Sequence, residues 1–166
     1  MIASPNYILG IYDGDGSAYN QTGPAGSAEA EVFFEDFFAA NGLNSIPTDF
    51  SGRSDYAGFL DRGIASGGLF TGAEVVKTQE EFELFGGEVG VAYDINYHQA
   101  GDNITNLALD AFEWNTKAIA AAVAEYAVSF DSLGPVNGTA VPAKSKRSSV
   151  PAHKHNHEGG CGRKLL

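Results

Sequence analysis

His98 is the only histidine among the first 152 residues. It follows Tyr97 in the stretch Tyr93-Asp94-Ile95-Asn96-Tyr97-His98-Gln99-Ala100-Gly101-Asp102. An imidazole can ligate a metal and a phenol can hydrogen-bond an oxyanion, so the pair could serve a metal-bound substrate. Asp94 and Asp102 stand four residues to either side of His98. A lone histidine in a folded body is nonetheless more often a satisfied polar side chain than a ligand. A catalytic zinc takes about three protein ligands, so one histidine cannot make such a site. Either His98 is not a ligand, or its co-ligands come from outside this chain.

Other reactive groupings are weaker. Asp13-Gly14-Asp15-Gly16-Ser17 invites a calcium-loop reading, but that pattern wants Gly at its sixth position and Glu at its twelfth. Counted from Asp13, those places hold Ala18 and Pro24, so a turn after a strand is the better reading. Gly52-Arg53-Ser54-Asp55-Tyr56 puts a cation, a hydroxyl and a carboxylate at the start of a helix. Taken alone it reads as an N-cap with a solvated arginine. In Gly67-Gly68-Leu69-Phe70-Thr71-Gly72-Ala73-Glu74 the glycines let the backbone come close to another strand or to a ligand. His153, His155 and His157 could chelate a metal adventitiously, with nothing around them to fix ring orientation.

Charge and length narrow the partners. The 166 residues amount to one domain, with a net charge of −11. Residues 1–140 carry 20 of the 21 acidic side chains, against only Arg53, Arg62, Lys77 and Lys117. An acidic body of this kind repels phosphate backbones, so no nucleic-acid partner is expected. The most apolar run, Ala118 to Phe130, is too short to span a bilayer and contains Glu125. A membrane partner is likewise not expected. The single Cys161 rules out a disulfide within the chain. Three glycosylation sequons, at Asn20, Asn103 and Asn137, hint at secretion, although no signal peptide opens the sequence.

The elements that would position these residues follow from periodicity. Tyr7–Tyr12 reads as a buried strand, abrupt for a native start, so the chain is expected to be cut from something longer. Ser27–Asn41 reads as a helix capped by Ser27, burying Ala30, Phe33, Phe34, Phe37 and Phe38, with Gly42 just past its end. Ser54–Arg62 is a short helical candidate, Ile64–Thr71 a strand, and Thr78–Phe85 a polar loop with a helical turn. Thr105–Phe130 is the strongest helical pattern. Thr105 or Asn106 would cap it, and Ala108, Phe112, Ile119, Val123, Tyr126 and Phe130 would line one face. Strands alternating with helices imply an α/β layered fold. Residues 1–134 form the folded unit, and residues 135–166 read as a disordered basic tail.

Four segments, in order, carry a resemblance. They are Ile2-Ala3-Ser4-Pro5-Asn6 continuing to Tyr12-Asp13-Gly14-Asp15-Gly16-Ser17; Gly52 to Phe59; Gly63 to Glu74; and Tyr93 to Asp102. Together they resemble the C-terminal half of the secreted two-zinc aminopeptidases of fungi and streptomycetes, peptidase family M28. The resemblance implies a three-layer α/β fold with a mixed sheet flanked by helices, truncated at the N-terminus. It implies a metalloprotease, an exopeptidase acting on peptides with a free N-terminus, extracellular and monomeric when complete. His98 matches a zinc ligand and Tyr97 a catalytic, substrate-contacting phenol. Gly52 and Arg53 match the substrate cleft, and Phe70 an aromatic wall of the pocket for an apolar N-terminal side chain. The other four ligands of the two Zn2+ ions and the general base would lie upstream, the last of them an Asp just before Met1. This chain alone would then be inactive, a truncated homologue or a mis-started product. Relatives with a disulfide carry Cys where Asn96 and Gly101 stand here, which puts the rigidity of the Tyr-His loop in question. Relatives also carry His in place of Tyr56.

Overall fold

The computed structural model describes residues 1–134. The expected tail lies outside them, and with it Asn137, His153, His155, His157 and Cys161. Strand β1 (Gly10–Tyr12) lies between β2 (Ile46–Thr48), parallel to it, and β3 (Leu69–Phe70), antiparallel. This is a mixed sheet in an α/β fold, as expected. The extended run does begin ahead of β1, where the Ile8 N–H donates to the Thr71 carbonyl at 3.2 Å. β2 contains Pro47, which cannot donate to a ladder and so belongs on an edge strand.

The expected strand Ile64–Thr71 shortens to two residues, because its first half crosses a helix instead of pairing. That helix, α1 (Ser27–Ala40), passes so close that a Cβ on Gly67 would lie 2.7 Å from Ala30 Cβ. The glycine serves close approach to a helix, not to a ligand. α1 buries Ala30, Phe34 and Phe38, and Phe33 and Phe37 pack beside them. Ser27 does not cap it. Gly26 holds the cap position, and the buried Ser27 hydroxyl accepts the Ser66 N–H at 3.0 Å.

The last helix, α4, spans Leu109–Tyr126 and follows α2 (Ala57–Leu60) and α3 (Gln79–Phe85). Its buried face corrects the sequence reading. Ala111, Asn115, Ala118 and Ala122 point inward, whereas Phe112, Ile119, Val123 and Phe130 are exposed. α1 already fills the interior with phenylalanine, so its neighbour must present small side chains at the contact. Tyr126 alone keeps its expected role, with its ring 5.5 Å from that of Phe33. The expected caps are also displaced. Ala108 occupies the N-cap without a side-chain bond, and Asn106 is drawn into the preceding loop.

Strand alternation divides the molecule. Leu9, Ile11 and Leu69 face the core with Phe34, Phe38, Ala118 and Ala122. Burying a phenylalanine such as Phe38, fully enclosed, contributes about 1.5–3 kcal/mol. Ile8, Tyr12 and Phe70 take the opposite parity and floor an open cleft. Among the described residues the sheet carries one helical layer, formed by α1 and α4 on the face of Leu9, Ile11 and Leu69.

Candidate functional site

The cleft has a volume of about 420 Å³. Its floor is aromatic. Tyr12 stacks on Phe50 at 5.1 Å and meets the Tyr56 ring edge-on at 4.7 Å, with Phe70 at 6.3 Å on its other side. Burial, then the neighbouring Tyr56 and Asp49, pushes the Tyr12 phenol up to about 12. It stays neutral and acts as a wall. Beside it, Tyr93 donates to Glu81 at 2.5 Å. Glu81 is held from behind by a capping box, taking the Thr78 N–H at 2.8 Å while Thr78 Oγ1 accepts the Glu81 N–H at 3.2 Å. That box makes Gln79–Phe85 a complete short helix in place of a loop with one turn.

Of the residues singled out in the sequence, Arg53, Phe70 and Tyr97 all line this cleft, together with Met1. Gly52 does not reach the lining. It sits on the exposed loop before α2 at φ +80°, and donates its N–H to the Tyr56 hydroxyl at 3.0 Å. Arg53 forms an ion pair with Glu74 at 2.7 Å. The Glu74 carboxylate, and next the Tyr97 phenol, hold the guanidinium charged above its usual range. Arg53 in turn holds Glu74 below the usual carboxylate range, with a smaller contribution from His98.

Tyr97 and His98 differ in exposure. Tyr97 is half-buried against the cleft, while His98 is exposed beside it with its ring stacked on Tyr97 at 3.9 Å. Among the described residues His98, at φ +56°, is one of two non-glycine residues with positive φ. His, like Asn and Asp, tolerates left-handed backbone better than most side chains. The loop that carries both residues is braced. Asn96 Nδ2 donates to Asn106 Oδ1 at 2.6 Å, and Asp94 Oδ1 accepts from Asn106 Nδ2 at 2.9 Å and from the Asn96 N–H at 2.8 Å. A Cβ built on Gly101 would run into Asn96. Gly101 and Asn96 are thus in contact, and hydrogen bonds through Asn96 and Asn106 tie the loop.

The described residues do not by themselves form a zinc centre. Among them, one group of potential ligands clusters within 4.8 Å, namely Asp13, Asp15 and Glu31. Those carboxylates already serve the turn. Asp13 accepts N–H groups of Gly16, Ala18 and Tyr19, and Glu31 those of Gly14 and Asp15, at 2.7–3.1 Å. The turn reading of this motif therefore holds. His98 lies outside the group and Asp94 is committed to its loop, so His98 could supply one ligand only.

Tyr12, Glu74, Glu81 and Tyr93 were missed as site residues. Tyr12 had a usable signal, because strand parity opposite to Ile11 puts it on the face away from the helices. Nothing in the spacing announces the pairing of Arg53 with a carboxylate 21 residues away.

Residues 1–123 match the model of peptidase family M28. The chain belongs to this family. It is 55% identical over 163 residues to "Probable leucine aminopeptidase 2" of Aspergillus fumigatus, covering 98% of this chain and 32% of that protein. Over 162 residues it is 55% identical to "Leucine aminopeptidase 2" of Trichophyton rubrum and 56% identical to that of Trichophyton equinum, again with 98% and 32% coverage. The chain thus spans about a third of the length of these M28 relatives. The matched stretch contains Gly52, Arg53, Phe70, Tyr97 and His98, the whole of the expected set.

Proposed function

We propose that this chain builds one side of the active site of a zinc-dependent aminopeptidase, which removes apolar residues from peptides with a free N-terminus. The observation that carries this reading is convergence. Arg53, Phe70 and Tyr97 come from three separate segments, yet line one cleft together with Met1. Tyr97 supplies a hydroxyl donor for developing oxyanion charge, a role worth about 3–4 kcal/mol per donor in comparable sites. Phe70 and Tyr12 form the apolar wall for the N-terminal side chain, and Arg53 holds the substrate backbone, with Gly52 behind it in the turn rather than in contact with substrate. His98 is one zinc ligand. The remaining ligands of the two-zinc site and the general base belong to the other two-thirds of the family's length, and a residue preceding Met1 would stand at the cleft itself.

The same reading covers the surroundings. Secretion and glycosylation fit the sequons, with Asn20 and Asn103 both exposed. Among the described residues no helix is long and apolar enough to cross a membrane. A monomeric complete enzyme is part of the reading.

The test is to join residues 1–166 to the upstream two-thirds of the Trichophyton rubrum relative and assay leucine p-nitroanilide. The joined protein should turn over only with zinc, and residues 1–166 alone should not turn over at all. Zinc-dependent turnover by residues 1–166 alone, or a folded joined protein without activity, would refute the reading.

A further inference from the structure

An arginine on an exposed loop ordinarily samples many rotamers, and fixing one costs side-chain entropy. Arg53 lies on such a loop, yet it is held from two directions by residues outside the expected set. On the backbone side, the Tyr56 hydroxyl accepts the Gly52 N–H at 3.0 Å and lies 3.3 Å from Ser51 Oγ. The phenol that pins this turn is itself fixed. Tyr56 is only 9% exposed, and its ring meets those of Tyr12 and Phe50 edge-on at 4.7 and 4.9 Å. On the side-chain side, Glu74 Oε1 takes Arg53 Nη1 at 2.7 Å. Both partners of that ion pair are more than half exposed. An exposed pair of this kind adds little stability, so what it provides is geometry. Glu74 belongs to the stretch just after Phe70, and Tyr56, Arg53, Glu74 and Tyr97 all line the same cleft.

We infer that Tyr56 and Glu74 are positioning residues that set Arg53 beside the Tyr97 phenol, Tyr56 through the Gly52 backbone and Glu74 through the guanidinium. The inference rests on the aminopeptidase reading for what Arg53 positions, but the clamp itself can be read without turnover. In the joined protein, the order of the Arg53 side chain is measured from Nε relaxation, beside kcat and KM for leucine p-nitroanilide. The variants are Tyr56→Phe, Glu74→Gln, Arg53→Ala, and each of the first two combined with Arg53→Ala.

Each single clamp variant should loosen Arg53 Nε and lower kcat/KM about tenfold, within the range expected when a positioned group shifts by a fraction of an ångström. Added to Arg53→Ala, neither should lower kcat/KM further, because residues acting through one group are not additive. A merely structural role would leave Arg53 order unchanged and would multiply on the Arg53→Ala background. Either result overturns the inference, as does an Arg53 side chain already mobile in the parent protein. Loosening of Arg53 in a protein with no turnover would uphold the clamp and sink the aminopeptidase reading, so the two failures are distinct.

Discussion

Tyr97 and His98 are adjacent and their rings stack at 3.9 Å, yet of the two only the phenol lines the cleft. His98 holds a positive φ at this point of the loop. Holding a side chain in that conformation costs about 1–2 kcal/mol, and the Asp94–Asn96–Asn106 hydrogen bonds supply the bracing that sustains it. If the phenol serves the oxyanion as proposed, Tyr97→Phe in the joined protein should lower kcat more than tenfold with little change in KM. A change confined to KM would make Tyr97 a binding residue. Phe70 should act on specificity. Removing its ring exposes apolar area valued at roughly 25 cal/mol per Å², so Phe70→Ala should narrow the gap in kcat/KM between leucine and alanine substrates. An unchanged ratio would remove Phe70 from the pocket. Phe70 and Tyr97 could be singled out from the sequence because they lie in two of the four segments that carry the resemblance. Glu74 and Tyr56 lie in those segments too, but their contacts with Arg53 and Gly52 are ones that no local pattern encodes.

At the scale of elements, the long helices, the first strand and the buried face of α1 were legible from periodicity, while the face of α4 and the N-caps were not. The large apolar side chains of α4 form a helical stripe, and the natural expectation is that such a stripe is buried. Burial follows volume as well as hydrophobicity, and beside the phenylalanines of α1 the alanine face fits. The short helix α3 was hidden by its polar composition, although Thr78 and Glu81 spell a capping box. What docks α3 is Lys77, buried to 2% exposure. Its ammonium donates to the Tyr7 carbonyl at 2.6 Å and to the Gly86 carbonyl at 2.8 Å, tying the helix end to the N-terminal segment. Burial holds its pKa below the usual lysine value. Lys77→Met keeps the stem and strands two carbonyls, at a cost of about 1–3 kcal/mol. Urea unfolding should show a lowered midpoint, and an unchanged midpoint would mean that the two bonds contribute nothing.

Across the whole molecule, one sheet serves two purposes. Its helix-facing side closes a core around Leu9, Ile11 and Leu69, and its other side presents Ile8, Tyr12 and Phe70 to the cleft. The fold class was readable from alternating strands and helices, and the family from ordered segments. A cleft of this shape follows from which face the helices leave open, and that is settled only by packing. The central proposal is that His98, the only histidine among the described residues and outside their one carboxylate cluster, completes a zinc site with ligands from the rest of the family's length. The direct measurement is the zinc content of the joined protein after dialysis, with and without His98→Ala, each confirmed as folded. The parent should retain about two zinc ions per chain, and His98→Ala should lose about one equivalent. Equal zinc content in the two proteins would contradict the account.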